Sequence, residues 1–165
     1  MKLEFDVNLT EDDMYRFNMY HVYSGFHGVF SIIIAVMAFV VAAVTWGNVG
    51  VMYSILYVVF GLLLIFYMPV SLKMKSKHQL LTSEELKRTL HYSFDENGVH
   101  VSQNEDSAEL PWDQVYKMVA TKSNVLIYSN RMNAFVIPRS VLGGQYEKLK
   151  EFAVSHLPKY RVRMK

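Results

Sequence analysis

The hydrophobic pattern changes its period along the chain. Leu3, Phe5, Val7 and Leu9 alternate with Lys2, Glu4, Asp6 and Asn8, the period of a strand with one buried face. Thr10-Glu11-Asp12-Asp13 then predicts a helix start, a threonine cap followed by acids where the helix dipole favours negative charge. This helix is expected to run into the segment that follows. There the alternation disappears: residues 17–72, 56 positions, contain no Asp, Glu, Lys or Arg. Two uncharged runs of twenty residues, 25–44 and 51–70, flank the connector Thr45-Trp46-Gly47-Asn48-Val49-Gly50. At about 1.5 Å per residue each run reaches roughly 30 Å, the hydrocarbon thickness of a bilayer. Two membrane-spanning helices joined by a tight turn are predicted.

Beyond the second run, Ser83-Glu84-Glu85-Leu86 reads as a capped helical turn, and alternation returns. Leu90, Tyr92 and Phe94 predict a strand, Glu96-Asn97-Gly98 a tight turn, and Val99 and Val101 the returning strand. A polar turn at 103–107 leads to further strands at Ala108–Pro111, Val115–Thr121, Val125–Ser129 and Ala134–Ile137, an antiparallel meander of about six strands. After Gly143-Gly144, residues Tyr146, Leu149, Phe152, Ala153, His156 and Leu157 form the apolar face of a helix over 145–157, which Pro158 ends. An isolated N-terminal strand does not persist in water, so it is expected to pair with an edge of this sheet. The predicted fold is an α+β membrane protein. Residues 1–24 supply a strand and helix packed on the soluble domain, 25–70 a two-helix transmembrane hairpin, and 71–165 a small antiparallel β domain closed by a C-terminal amphipathic helix.

Charge orients this arrangement. Arg16 precedes the first run and Lys73, Lys75 and Lys77 follow the second, with Lys87 and Arg88 beyond, whereas the connector has none. By the bias of basic residues toward the cytoplasmic side, both termini are expected in the cytoplasm. Trp46 and Tyr53 would sit at the outer interface and Tyr20, Tyr23 and Tyr67 at the inner one. All 32 charges therefore fall in the remaining 109 residues, and the mean hydropathy of +0.11 averages two unlike chemistries. A wholly soluble single domain is excluded on that ground.

The first run carries a finer repeat. Ser24, Gly28, Ser31, Ala35, Ala38, Ala42 and Thr45 are spaced four and three apart, so small side chains line one helix face. Small residues permit the close backbone approach that holds helices together in lipid. The partner is either the second run, through Ser54 and Gly61, or a second copy of the chain. His27 is the single ionisable residue within either run, and transport normally requires more polar groups near the midplane.

Chemistry-bearing motifs are sparse. The absence of cysteine excludes disulfides, thiolate nucleophiles and Cys-ligated metals. His21 and His27 do not share a helix face, and His91 and His100 lie on two arms of a hairpin at positions that are not opposite. A two-residue turn would instead place Asp95 across from His100, a cross-strand pair. Glu105, Asp106 and Glu109 read as solvated acids. Gly-x-Ser-x-Gly, Gly-x-Gly-x-x-Gly and phosphate-binding loop patterns are missing, and no metal, cofactor or small-molecule substrate is indicated. Lys159, Arg161, Arg163 and Lys165 alternate with apolar residues. Together with Lys73, Lys75 and Lys77 they are expected to meet anionic headgroups at about 1 kcal/mol per charge. A net charge of +2 with a membrane at hand gives no reason to invoke nucleic acid.

Leu110-Pro111-Trp112-Asp113-Gln114-Val115, the alternating run to Tyr128, Phe135-Val136-Ile137-Pro138-Arg139 and the closing helix resemble the YcxB-like domain of bacterial membrane proteins, itself similar to pleckstrin-homology-like modules. The resemblance implies a bacterial inner-membrane protein with a cytoplasmic pleckstrin-homology-like sheet and helix, and it supplies no activity or cofactor. Trp112 and Pro138 would be structural, a buried ring at a corner and a strand terminator. The expectation is a non-enzymatic binding or regulatory module anchored by its hairpin, acting on a protein partner or a second copy. The alternative is an embedded accessory subunit or immunity factor working through the Ser/Gly/Ala stripe.

Overall fold

The computed structural model describes residues 2–104 and 106–164, apart from the side chain of His27. In chain order the elements are β1 (Leu3–Val7), α1 (Glu11–Tyr23), α2 (Phe26–Thr45), α3 (Val51–Thr82), α4 (Glu84–Lys87), β2 (Leu90–Phe94), β3 (Gly98–Gln103), β4 (Asp106–Pro111), β5 (Lys117–Ala120), β6 (Asn124–Tyr128), β7 (Ala134–Pro138), α5 (Arg139–Leu142), α6 (Tyr146–His156) and β8 (Val162–Arg163). The chain is α+β, and it divides into two compact units. One comprises residues up to Phe17 and from Ser76 onward, the other Asn18–Lys75. The divisions fall inside α1 and α3.

The first unit holds two four-stranded sheets. In one the order is β1-β2-β3-β4, all antiparallel, and Leu3, Phe5 and Val7 of β1 point inward opposite Phe94, Tyr92 and Leu90 of β2. The predicted pairing of the N-terminal strand with a downstream edge is thus observed. The other sheet runs β7-β6-β5-β8. Between them Pro111 leads into a 3-10 turn, Trp112–Gln114, that turns the corner. Trp112 is buried there, and its Nε1–H donates to the carbonyl of Asp95 at 2.9 Å. Its ring lies 6.3 Å from that of Phe152 on α6 and stacks on His156 at 5.0 Å. Phe94, Val99, Val115, Met118, Val125, Ile127, Ile137 and Leu149 complete one core shared by both sheets and α6.

Local chemistry explains the elements and their ends. Thr10 caps α1 as its Oγ1 accepts from the N–H of Asp13 (3.2 Å), while the Asp13 carboxylate accepts from the N–H of Thr10 (3.1 Å). The start of α1 is further tied to the β5–β6 turn: Asn124 Nδ2 donates to the Asp13 carbonyl at 3.1 Å. Pro138 ends β7 as expected, and Gly143 at φ 48 closes α5 in a conformation that disfavours any side chain. Arg139 ties the β5–β6 turn to α6, donating to the carbonyl of Thr121 and lying over the ring of Tyr146 at 4.1 Å.

Four expectations are corrected. The second apolar run does not end a helix at Val70, because α3 continues through the lysines to Thr82. The N-terminal helix does not run on into the first apolar run: it stops at Tyr23, and extended Gly25 starts a new helix. In the β2–β3 hairpin the turn residues are Glu96 and Asn97, so His100 faces Ser93 and not Asp95. The carboxylate of Asp95 makes this turn by accepting from the N–H groups of Asn97 (2.8 Å) and Gly98 (3.2 Å). Gly98 serves close approach instead of turn geometry, since a Cβ there would lie 2.5 Å from the carbonyl of Leu110. Finally, the basic tail is structured: Val162 and Arg163 pair in parallel with Met118 and Val119, and Met164 is buried.

Trp112→Ala removes the ring that joins corner, hairpin and α6, and is expected to cost about 3–5 kcal/mol. Chemical denaturation followed by circular dichroism checks this. A midpoint indistinguishable from that of the parent chain would show that the corner does not carry the core.

Candidate functional site: the apolar helix pair

The second unit is built from the end of α1, α2 and the greater part of α3. Among the described residues, α2 and α3 are the two helices long and apolar enough to cross a membrane. The connector closes by local bonds: Asn48 and Val49 N–H both reach the carbonyl of Thr45, and Gly47 sits at φ 83. Thr45 Oγ1 bonds back to Val41 O at 2.7 Å and meets Ser54 Oγ at 3.2 Å, linking the two helices next to the turn.

The small-residue stripe is divided by the structure. Ala35, Ala38 and Ala42 are buried within the unit, as are Ser54 and Gly61 of α3, so the middle of the stripe is the contact face of the helix pair. Gly61 lets the ring of Phe39 approach: a Cβ there would be 2.9 Å from its tip. Ser31 is half-buried and, with Ile65 and Pro69, lines a cleft between the helices. Pro69 lacks the N–H that would otherwise bond Ile65 O, so the helical ladder of α3 is interrupted beside this cleft. Gly28 serves another purpose. A Cβ there would come within 2.5 Å of Val22 O and 2.8 Å of Tyr23 Cα, so this glycine permits the elbow between α1 and α2. Ser24 is exposed, its hydroxyl bonded to His21 O at 3.2 Å, and takes no part in the helix contact.

The opposite faces are apolar and bare. Ile33, Val36, Met37 and Val40 of α2 and Leu56, Phe60, Leu63 and Phe66 of α3 are each at least half exposed. Only 22% of the apolar stretch of α2 and 11% of that of α3 is buried. A core helix of a water-soluble domain would be mostly covered.

The basic positions do not form one patch by themselves. Lys73, Lys75 and Lys77 are all exposed on α3, with Lys73 and Lys77 on one face and Lys75 on the other. In the tail, Lys159 and Arg163 are exposed, but the guanidinium of Arg161 donates to the carbonyl of Val115 at 3.1 Å. Lys165, like Glu105, lies outside the described residues. Within the tail, Lys159–Arg161 form a 3-10 turn, and Val162 and Arg163 are the residues that pair with β5.

On the first unit, two histidines of neighbouring strands make carboxylate contacts. His91 Nδ1 meets Asp6 Oδ1 at 2.7 Å across β1 and β2. His100 Nε2 meets Asp95 Oδ2 at 3.0 Å and its Nδ1 lies 4.0 Å from Glu109 Oε1. The approach of the His100 ring, then the N–H of Asn97, holds the Asp95 carboxyl below its ordinary range.

With strands, corner and closing helix placed, their order can be compared with known families. Residues 94–153, from the last residue of β2 into α6, match the family model described as YcxB-like protein. Over this segment the chain is similar to that family. Neither curated proteins nor solved structures give a significant match. The YcxB-like match includes the corner at Trp112 and the Phe135–Arg139 segment. It leaves out β1, most of β2, β8 and the apolar helix pair.

Two predictions follow from this geometry. Gly28→Ala meets backbone atoms that must shift and is expected to destabilise the elbow by about 1–3 kcal/mol, whereas Gly61→Ala meets a ring that can rotate and is expected to cost less. Thermal unfolding of both variants in lipid nanodiscs decides the order, and equal losses would contradict the division of the stripe. For Asp95, the lowered carboxyl makes a stabilising contribution present above its unfolded pKa and lost as pH falls through the folded one. Asp95→Asn is therefore expected to show a constant deficit above about pH 5 that shrinks below about pH 4. A deficit independent of pH in denaturation series would show that the charge of the Asp95 carboxylate is not its source.

Proposed function

We propose that the chain is a membrane-anchored, non-enzymatic binding or regulatory module of a bacterial inner membrane. α2 and α3 enter the bilayer as a hairpin, and the YcxB-like domain is presented as a pleckstrin-homology-like module at the cytoplasmic face to a protein partner. The observation that carries this reading is the bare apolar surface of α2 and α3, which lipid would cover and water would not. The β1–β2 pairing supports the same-side placement of the flanks. Strands on either side of the inserted helices share one sheet, so the number of membrane crossings between them must be even. Arg16, Lys73, Lys75 and Lys77 beside an uncharged connector favour the cytoplasm for that side. Two four-stranded sheets and a C-terminal helix around one core are compatible with a pleckstrin-homology-like module. The histidine–carboxylate pairs behave as strand-to-strand contacts and suggest no acid–base pair at work. Burial of Ala35, Ala38 and Ala42 against the chain's own second helix leaves the stripe occupied, which favours the soluble domain over the stripe as the working surface.

The absence of cysteine makes the topology testable. In intact cells a membrane-impermeant maleimide is expected to label Asn48→Cys from outside and Ser107→Cys only after lysis. The reverse pattern would invert the orientation, and recovery of both labelled variants in the soluble fraction would overturn insertion. Photocrosslinkers in native membranes should capture a protein partner from position 107. Capture from position 36 alone would favour the embedded alternative.

A further inference from the structure

Three connections of the β7-β6-β5-β8 sheet meet at one of its ends. Register places them: Lys117 pairs with Tyr128, Tyr128 with Ala134, and Met118 in parallel with Val162. The start of β5, the loop 129–133 between β6 and β7, and the 3-10 turn Lys159–Arg161 therefore lie side by side. Contacts tie them together. Lys117 Nζ lies 4.4 Å from the centre of the Tyr128 ring and 5.9 Å from that of Tyr116. Arg161 donates to the carbonyl of Val115 at 3.1 Å and lies over the Tyr160 ring at 5.8 Å. In the loop Met132 is 74% exposed, and in the turn Tyr160 is 73% exposed, so neither apolar surface is covered. Arg131, Lys159 and Tyr116 are exposed as well. Residues 113–117, 129–133 and 159–161 carry four basic side chains, Lys117, Arg131, Lys159 and Arg161, against one acid, Asp113. The path of α1 marks the same end. Asn124 Nδ2 meets the Asp13 carbonyl, and the ring of Phe17 lies 6.5 Å from that of Tyr128, so α1 runs alongside β6 in the same direction. Phe17 is the last residue of this unit before the chain enters the apolar helices.

We infer that this end of the sheet is a docking face for an anionic bilayer surface, which deepens the proposed membrane anchoring and rests on it. Tyrosine rings and the aliphatic stems of lysine and arginine suit the headgroup layer, where their apolar parts reach the acyl boundary and their charges meet lipid phosphates. Tyr116, Lys117, Lys159 and Tyr160 supply that chemistry, and Met132 supplies an apolar tip. The centre of a protein interface is depleted of charge, whereas Met132 stands between Arg131 and Asn133. Basic side chains dominate the face, and an anionic leaflet is their complement.

Because the chain has no cysteine, a single introduced one reports on its own position. The test uses full-length Met132→Cys carrying an environment-sensitive dye, in nanodiscs of phosphatidylcholine with about one-third phosphatidylglycerol. Lipid bearing a nitroxide on its headgroup is expected to quench the dye there, and far less in pure phosphatidylcholine. Each basic residue near an anionic leaflet is worth about fivefold in the docked-to-undocked ratio, so Arg131→Gln with Lys159→Gln should lower that ratio about 25-fold. High salt should lower it too, since exposed charges are screened. Lys122→Gln, at the opposite end of the same strands, should leave it unchanged, and thermal unfolding of these variants should match the parent because the altered side chains are exposed. A second dye at Val36→Cys, read with acyl-chain nitroxide, reports insertion of the helices separately. Quenching at position 36 with none at 132 in either disc would overturn docking while insertion stands. An unquenched position 36 would overturn insertion, on which docking by this face rests. Equal quenching at 132 in both discs, indifferent to salt, would overturn the anionic class, and shielding of 132 in native membranes but in neither disc would assign the face to a protein instead.

Discussion

The pairing of β1 with β2 is the constraint on which the remainder of the architecture depends. Five residues at the start of the chain align with five that follow the long apolar insertion, Leu3 with Phe94 through Val7 with Leu90. The register is specified by the buried face: Leu3, Phe5 and Val7 point into the core, and a slip of one residue would turn Glu4 and Asp6 inward instead. Edge contacts reinforce it, with Phe5 set against Phe94 at 5.9 Å and Asp6 beside His91. Everything between Val7 and Leu90 is thereby an excursion whose two ends belong to one folded unit. For helices of membrane-spanning length, that requirement admits two crossings and rejects one.

Much of this was legible because it rests on local periodicity. The alternation of β1, the Thr10 cap, the Ser83 cap and the meander are all short-range signals, and the strands fall within a residue or two of their expected places. The misreadings share a cause. Loss of apolar character after Val70 marks where a helix would leave lipid, but lysine and glutamine are good helix formers, so α3 continues to Thr82. Asn97-Gly98 signals a turn with positive φ, yet the Asp95 carboxylate supplies the turn one position earlier, and Gly98 is required by the proximity of β4. The tail alternation has the period of a strand, and only the open edge of β5, formed by residues more than forty positions away, decides that it pairs.

The candidate sites were legible to a lesser degree, for a related reason. Spacing alone identifies a small face on α2 but not what each residue touches. Ala35, Ala38 and Ala42 are buried in the helix pair, while Gly28, on the same nominal face, accommodates the preceding helix. The cavity of about 240 Å³ in the first unit carries no motif. Its walls come from Met14, Leu86, Leu90 and Phe135, which are neighbours only after two sheets and two helices have assembled. In sequence Tyr92 is one more apolar position in an alternating strand.

The same distinction bears on how the YcxB-like segment should be regarded. The match over residues 94–153 contains the corner, the closing helix and most of both sheets, but not the strands that finish their edges. Without β1 and the rest of β2, β3 would become an edge, and Phe94 would lose the ring of Phe5 that packs against it. Without β8, β5 would lose its outer neighbour, and Met164 its place beside the core. Exposed strand edges and uncovered aromatic surface are what soluble sheets avoid. The segment is therefore the centre of a folding unit whose margins come from both ends of the chain. Because β1 lies before the apolar helices and β2 after them, that unit forms only when the excursion is accommodated within the chain.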